Sequence, residues 1–474
     1  MTVQQDIRFM GINALRAEYT NGTLTPMQVI ETMLDEIGRL NPVINCYTTV
    51  IRETALAQAR ESTERWRNNA PLGLLDGVPI SVKDTLMVQG VPFRRGSRAT
   101  SEELMAQNAP VVDRVLEQGA VVLGITTTPE FGVGPITISP LTGITRNPWD
   151  LSKNSGGSSG GAAASVASGL ACIALATDAG GSTRIPAGFC GVVGLKPTGG
   201  RLPTYPPNVA GALSCPGVIA RSVHDASMVL QTLARPDSRD AEMMDAPPSD
   251  WLELRPGRAE DLRTAVTTDL GYAPRVSADV SDLVGNAVDR LRAAGVAVET
   301  THPKIDNPIE IFNTLFRAGF GYALRNFTDD QYAAIDETLR ATVTKGREIT
   351  LHQYLEAQDA RRALAATFAR FFEEYDVLLT PMTSVPAFDA DRWVPDSFQD
   401  MEDPRAWTPF GYPVNLIQCP AATIPCGLSK DGLPIAIQVI GPRFGEDKVL
   451  AMAGLLESLI LALPQVPAAV ANAV

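Results

Sequence analysis

The apolar positions of this chain change period several times, and each change marks an expected element. Ile30, Met33, Leu34 and Ile37 recur at helical spacing, and Ala55, Leu56, Ala57 and Ala59 set good helix formers within a charged run. The segment 1–70 therefore reads as helical. The texture changes at Pro71. Val78-Pro-Ile-Ser-Val-Lys83 is a short, nearly all-apolar run ending in lysine, the pattern of a buried strand. Asp113 to Gln118 then reads as a helix, and Ala120 to Ile125 and Cys172 to Ala176 as further buried strands. Later, Arg263 to Thr267 resembles a strand, and Val280 to Ala294 and Val449 to Leu463 resemble amphipathic helices. Short apolar runs alternating with helical patterns predict an α/β fold, a sheet covered by helices on both faces.

Two stretches lack periodicity. Residues 236–262 are polar and Pro-rich, as expected of a surface connection, and 386–410 are rich in Pro, Asp and Trp, as expected of a variable loop near a site. No internal repeat and no clean linker divides the chain, so a single domain over 1–474 is expected. Its parts are a helical region at 1–70, a core at 71–235, connecting and substrate-side elements at 236–370 and the rest of the core at 371–474.

Composition narrows the function classes. Apolar residues make up 45% and charged residues 20% of the 474, ordinary for a globular protein. The formal net charge of −13 and the lack of a basic run argue against nucleic acid as the main partner. Asp6 and Arg8 near the start, with no apolar segment after them, are not the pattern of a secretory leader. Ala162 to Thr177 is too rich in Ala, Ser and Gly to span a bilayer. The six cysteines form no CxxC pair and no metal-ligand spacing, which suggests buried thiols in a reducing compartment. The expectation is a soluble, cytoplasmic protein with no membrane partner.

The candidate chemistry lies between residues 147 and 200. Asn154-Ser-Gly-Gly-Ser-Ser-Gly-Gly161 precedes an Ala-rich helix, and Asp178-Ala-Gly-Gly-Ser-Thr-Arg184 follows a strand-like run. Neither turn has the Lys-Ser/Thr ending of a phosphate loop or dinucleotide GxGxxG spacing. Tight strand-to-helix connections remain the plain reading of either turn alone. Each, however, sets a serine after a glycine pair, at Ser158 and Ser182. A nucleophilic serine needs a base. The three histidines, His224, His302 and His352, lie in no distinctive setting, although a Ser-His-Asp arrangement stays open. Lys83, at the end of an apolar strand, is the other candidate, provided that burial lowers its pKa.

These segments resemble the amidase signature family. The resemblance rests on Gly156-Gly-Ser-Ser-Gly-Gly161, Asp178-Ala-Gly-Gly-Ser-Thr-Arg184, Gly191-Val-Val-Gly-Leu-Lys-Pro-Thr198 and Gly77-Val-Pro-Ile-Ser-Val-Lys-Asp84. Pro413-Val-Asn415, Pro420 to Pro425, Asp431 to Pro434 and Gln438 resemble its C-terminal elements, so the likeness runs from about residue 11 to 462. It implies a large twisted mixed sheet between helices and a serine amidohydrolase that needs no metal or cofactor. Ser182 would be the nucleophile, Ser158 a proton relay on a cis peptide bond, and Lys83 the base. The N–H groups of Ala179, Gly180, Gly181 and Ser182 would bind the oxyanion, and Ser159, Asp178 and Arg184 would hold the two turns. Gly132, after Phe131, matches a substrate-facing position. Ala179 and Gln418 depart from the common pattern, the latter replacing a frequent glycine.

The activity implied is cleavage of an amide, anilide or carbamate (urethane) bond, or of an ester, in a small molecule. Phe131, Tyr205, Phe388 and Trp393, on the segments 128–140, 200–215 and 386–410, point to an apolar or aromatic substrate. Two other readings stand beside it. One is the amidase component of a tRNA-dependent amidotransferase, against which Gly199-Gly-Arg-Leu-Pro-Thr-Tyr205 argues. The other is a non-catalytic binding role, against which the intact Lys83, Ser158 and Ser182 argue. Homodimers are frequent in such families, so a second copy of the chain is a candidate partner.

Overall fold

A computed structural model describes residues 6–244, 250–252, 259–460, 463–464 and 466–472. The surface connection expected at 236–262 and the helix expected to reach Leu463 therefore lie partly outside the described residues.

The N-terminal region is helical because its ends are well specified. In the Pro26–Ile44 helix, Thr25 and Gln28 form a reciprocal capping box, Pro26 occupies the first turn, and Asn45 closes the helix in the left-handed region at φ 57°. The positions at helical spacing, Ile30, Met33, Leu34 and Ile37, are all buried. This region also holds a strand that periodicity does not indicate, Tyr47–Val50, on the outer edge of the sheet. Its burial fades from Tyr47 to an exposed Val50, so it carries little apolar signal.

Among the described residues, the central sheet has 11 strands and is mixed. From one edge the order is Tyr47–Val50, Val121–Thr126, Pro79–Lys83, Ile173–Asp178, Cys215–Ala220, Val193–Lys196, Ala421–Leu428, Pro434–Ile440, Val377–Pro381, Thr264–Val266 and Val298–Thr300. Pro79–Lys83, Val121–Thr126 and Ile173–Asp178 are buried at every residue, as expected for parallel strands with both faces covered. The Pro110–Glu117 and Ala278–Ala293 helices fall within a few residues of the expected bounds. All six cysteines are free and buried. Among the described residues, no helix is long and apolar enough to cross a membrane.

The parallel register sets the second glycine turn beside the lysine. Val82 pairs with Leu175, so Lys83 and the Thr177–Asp178 end of its neighbour finish side by side. The first glycine turn leads into the Gly160–Ala167 helix, buried throughout, whose Ala and Gly residues allow it to pack closely on the sheet.

Candidate active site

Lys83 is buried on every side. Its Nζ donates to Ser158 Oγ at 2.7 Å and to Thr177 Oγ1 at 3.2 Å. Burial pulls the ammonium pKa down to about 7, against the opposing charges of Asp178 and Asp84. A lysine in this state is partly neutral near pH 7 and can take up a proton. The Gly157–Ser158 peptide is cis. Ser182 sits on the second turn, half-buried at the wall of a cavity of about 260 Å³. The two turns are tied together, since Ser159 N–H donates to the Ser182 carbonyl at 3.1 Å and Ser159 Oγ to the Thr177 carbonyl at 3.3 Å.

Asp178 and Arg184 shape the second turn. Asp178 accepts from the N–H groups of Gly181 and Thr183 at 2.8 and 3.0 Å, and from Arg184 at 2.9 and 3.0 Å. The carboxyl is buried, yet the Arg184 guanidinium holds its pKa well below the usual range. Arg184 also donates to Gln438, the Gly411 carbonyl and Asn415 at 2.5, 3.1 and 2.6 Å. Asn415 donates back to the Asp178 carbonyl at 2.9 Å. Gln438 and Asn415, legible in the sequence only as parts of C-terminal motifs, thus hold the turn in place from far along the chain.

Gly181 has φ +117°, a backbone region open mainly to glycine. Its N–H is spent on Asp178, which differs from the expectation that it points to a substrate oxygen. Among the described residues, the N–H groups of Ala179, Gly180 and Ser182 have no acceptor. Gly411 presses on this turn from below: a Cβ there would lie 2.4 Å from the Gly180 carbonyl oxygen. Gly132 faces Ser158, with a Cβ placed there 3.4 Å from Ser158 Oγ.

The cavity in front of Ser182 is lined by Ile185, Phe312, Phe316, Trp393 and Tyr412, with Thr338, Thr342, Thr408 and Arg405 among the polar residues. Of the four aromatics noted in the sequence, Trp393 lines this cavity and Phe131 a small adjoining one. Phe388 packs against Phe189 and Trp407 in the core, and Tyr205 lines neither space. The segment 386–410 does reach the site, through Trp393, Arg405 and Thr408. The segment 200–215 touches only the smaller space, through Asn208, Val209, Ala210 and Ser214. Phe312, Phe316, Thr338 and Thr342 escape sequence reasoning because they sit on helices whose apolar faces look like any packed helix. No histidine lines either space. His224 meets Asn13 and His352 meets Glu356 at the surface. Among the described residues, no group of three His, Cys, Asp or Glu could hold a metal ion.

The amidase family's sequence profile matches residues 28–450. This chain belongs to the amidase signature family. It is 34% identical to the A component of the mitochondrial glutamyl-tRNA(Gln) amidotransferase of Ixodes scapularis, over 94% of this chain and 95% of that one. It is 31% identical to the acylamidase of Rhodococcus erythropolis, over 96% of each. Among solved structures, a bacterial aryl acylamidase of the same family superposes with a TM-score of 0.90 at 25% identity, over 98% of this chain and 99% of that one. A 6-aminohexanoate cyclic dimer hydrolase superposes with a TM-score of 0.87 at 26% identity, over 98% and 99%. Family membership makes the chain an amidase-type hydrolase, and the architecture is the mixed α/β fold of these enzymes.

Proposed function

We propose that this amidase hydrolyses amide-type C–N bonds of small apolar or aromatic molecules through an acyl-enzyme on Ser182. The observation that carries the reading is the 2.7 Å hydrogen bond from a desolvated Lys83 to Ser158, beside the cavity that holds Ser182. Neutral Lys83 takes the Ser158 hydroxyl proton while Ser158 takes that of Ser182, so that Ser182 Oγ attacks the carbonyl carbon. The oxyanion is met by the N–H groups of Ala179, Gly180 and Ser182, with Gly181 anchoring the turn through Asp178. Each such donor supports about 2.7–4 kcal/mol of transition-state stabilisation. As the C–N bond breaks, the proton returns through Ser158 to the leaving amine. Water, deprotonated by the same relay, then attacks the ester carbon and frees the acid and Ser182. The route reads the carbonyl and not the atom beyond it, so anilides, carbamates and esters fall within its scope.

Labelling by a fluorophosphonate, read by intact mass and peptide mapping, tests the assignment. An adduct on Ser182, missing in Ser182→Ala and suppressed in Lys83→Ala, supports it. A folded protein that cleaves anilides while unlabelled at Ser182 overturns it. A second reading has its own support: the 34% identity to the amidotransferase component exceeds the 31% to the acylamidase. It expects ammonia release from glutamine, strengthened by partner subunits, and weak cleavage of anilides. Turnover of both substrate types by the isolated chain decides between the two.

A further inference from the structure

Among the described residues lining the 260 Å³ cavity, Arg405 is the single charged one. Its guanidinium is poorly satisfied by the protein. Asp403 approaches Nε at 3.7 Å, beyond hydrogen-bond distance, and spends its own oxygens on the Arg405 backbone N–H at 2.7 Å and on Asn313 at 3.1 Å. The Nη1 and Nη2 groups donate to nothing among the described residues. The head instead lies 5.7 Å from the centre of the Phe312 ring. That same ring abuts the oxyanion turn, its Cζ 2.8 Å from where a Gly180 Cβ would stand. One phenyl ring therefore separates the reacting end of the cavity from an unspent donor fork. Asp403 and Glu310 are the acids near the fork and Arg317 opposes them, but neither acid hydrogen-bonds it. An arginine costs free energy to desolvate, and a planar fork suits a carboxylate held by two parallel bonds.

We propose that Arg405 selects substrates carrying a carboxylate several bonds from the scissile carbonyl, on the side of the amide that lies along Phe312. The substrate class is then a small amide with an apolar or aromatic body and an acidic end. This rests on the hydrolase reading for its chemistry, but its test does not. The Ser182→Ala protein, which holds substrate without acylation, is titrated calorimetrically with two matched pairs. Glutaryl anilide is compared with pentanoyl anilide, and 4-acetamidobenzoate with 4-methylacetanilide.

The carboxylated member of at least one pair should bind more tightly, and Arg405→Leu should cut that preference on the order of 10- to 100-fold, the usual scale of a charge-assisted pair. Arg405→Lys should restore part of it, since charge remains and the fork is lost. Asp403→Asn should raise the preference, because the competing acid is gone while Oδ1 still accepts from the Arg405 N–H. Turning the Asn313 amide over presents its Oδ1, which has no partner, to the new amide in place of the Nδ2 that donates to Asp403. The opposite directions separate recognition from loss of folding. Equal binding within both pairs, or a preference that Arg405→Leu and Asp403→Asn leave unmoved, overturns the proposal. Failure of Ser182 labelling with these preferences intact would instead overturn the hydrolase reading alone.

Discussion

A lysine cut off from water holds its proton weakly, and Lys83 combines that state with a hydroxyl at 2.7 Å. The proposed relay needs the neutral amine, so kcat/KM on an anilide should rise with pH to a plateau, with a midpoint near about 7. A profile flat from about pH 5.5 to 9 would show that Lys83 does not act as base. Lys83→Ala should lose at least about 10²-fold on an anilide, and less on a 4-nitrophenyl ester, whose leaving group departs without a proton. The same burial costs stability. The unfolded chain keeps this proton up to 10.5, while the folded protein releases it near about 7. Between those values the unfolded state binds more protons, so this group's contribution to stability rises with pH. Lys83→Met should therefore raise Tm at about pH 6 and raise it less at about pH 10, as differential scanning calorimetry can read.

At the scale of elements, the two glycine turns were legible because their chemistry is local: serine, glycine and aspartate lie within a few residues of one another. Lys83 was legible as the end of an apolar strand, but its position beside Thr177 is set by the parallel register of Pro79–Lys83 on Ile173–Asp178. What the sequence did not disclose came from packing over long separations. Gln438 and Asn415 reach Arg184 from more than 200 residues along the chain. Arg405 reaches the cavity from an aperiodic segment, and Tyr47–Val50 is too short and too polar to declare itself a strand. The departure at Gln418 also becomes plain, since this residue has φ 58°, where glycine is the easier choice. Gly411 makes the dependence testable. Its φ of −82° would accept alanine, but the added methyl would meet the Gly180 carbonyl. Overpacking of this kind costs about 1–3 kcal/mol. Gly411→Ala should therefore lower kcat on an anilide about tenfold or more through displacement of the Ala179–Ser182 turn. Unchanged kcat in a folded variant would mean that this turn does not hold the oxyanion.

Over the whole molecule, the Glu446–Leu459 helix is fastened to the Val223–Leu233 helix by a partly buried carboxyl. Glu457 Oε1 accepts from the Val223 N–H at 2.9 Å, and burial, aided by Asp225, pushes its pKa up to about 7. The folded protein thus favours the protonated acid, and stability from this group falls as pH rises from 4.5 through about 7. Glutamine keeps the acceptor without the charge. Glu457→Gln should stabilise the protein by about 1–2 kcal/mol at about pH 8.5 and by almost nothing at pH 4.5. Equal unfolding midpoints in urea at both pH values would refute the burial argument.

The order of strands bears on how this protein is made. Ala421–Leu428 and Pro434–Ile440 are among the last strands to leave the ribosome, yet they stand between Val193–Lys196 and Val377–Pro381 in the middle of the sheet. Until they emerge, a nascent chain presents two open, apolar edges and an Arg184 that lacks Gln438. Such edges invite pairing with other chains. Newly synthesised chains should therefore need a holding chaperone late in translation, and hydrolytic activity should begin only after residue 440 has cleared the exit tunnel.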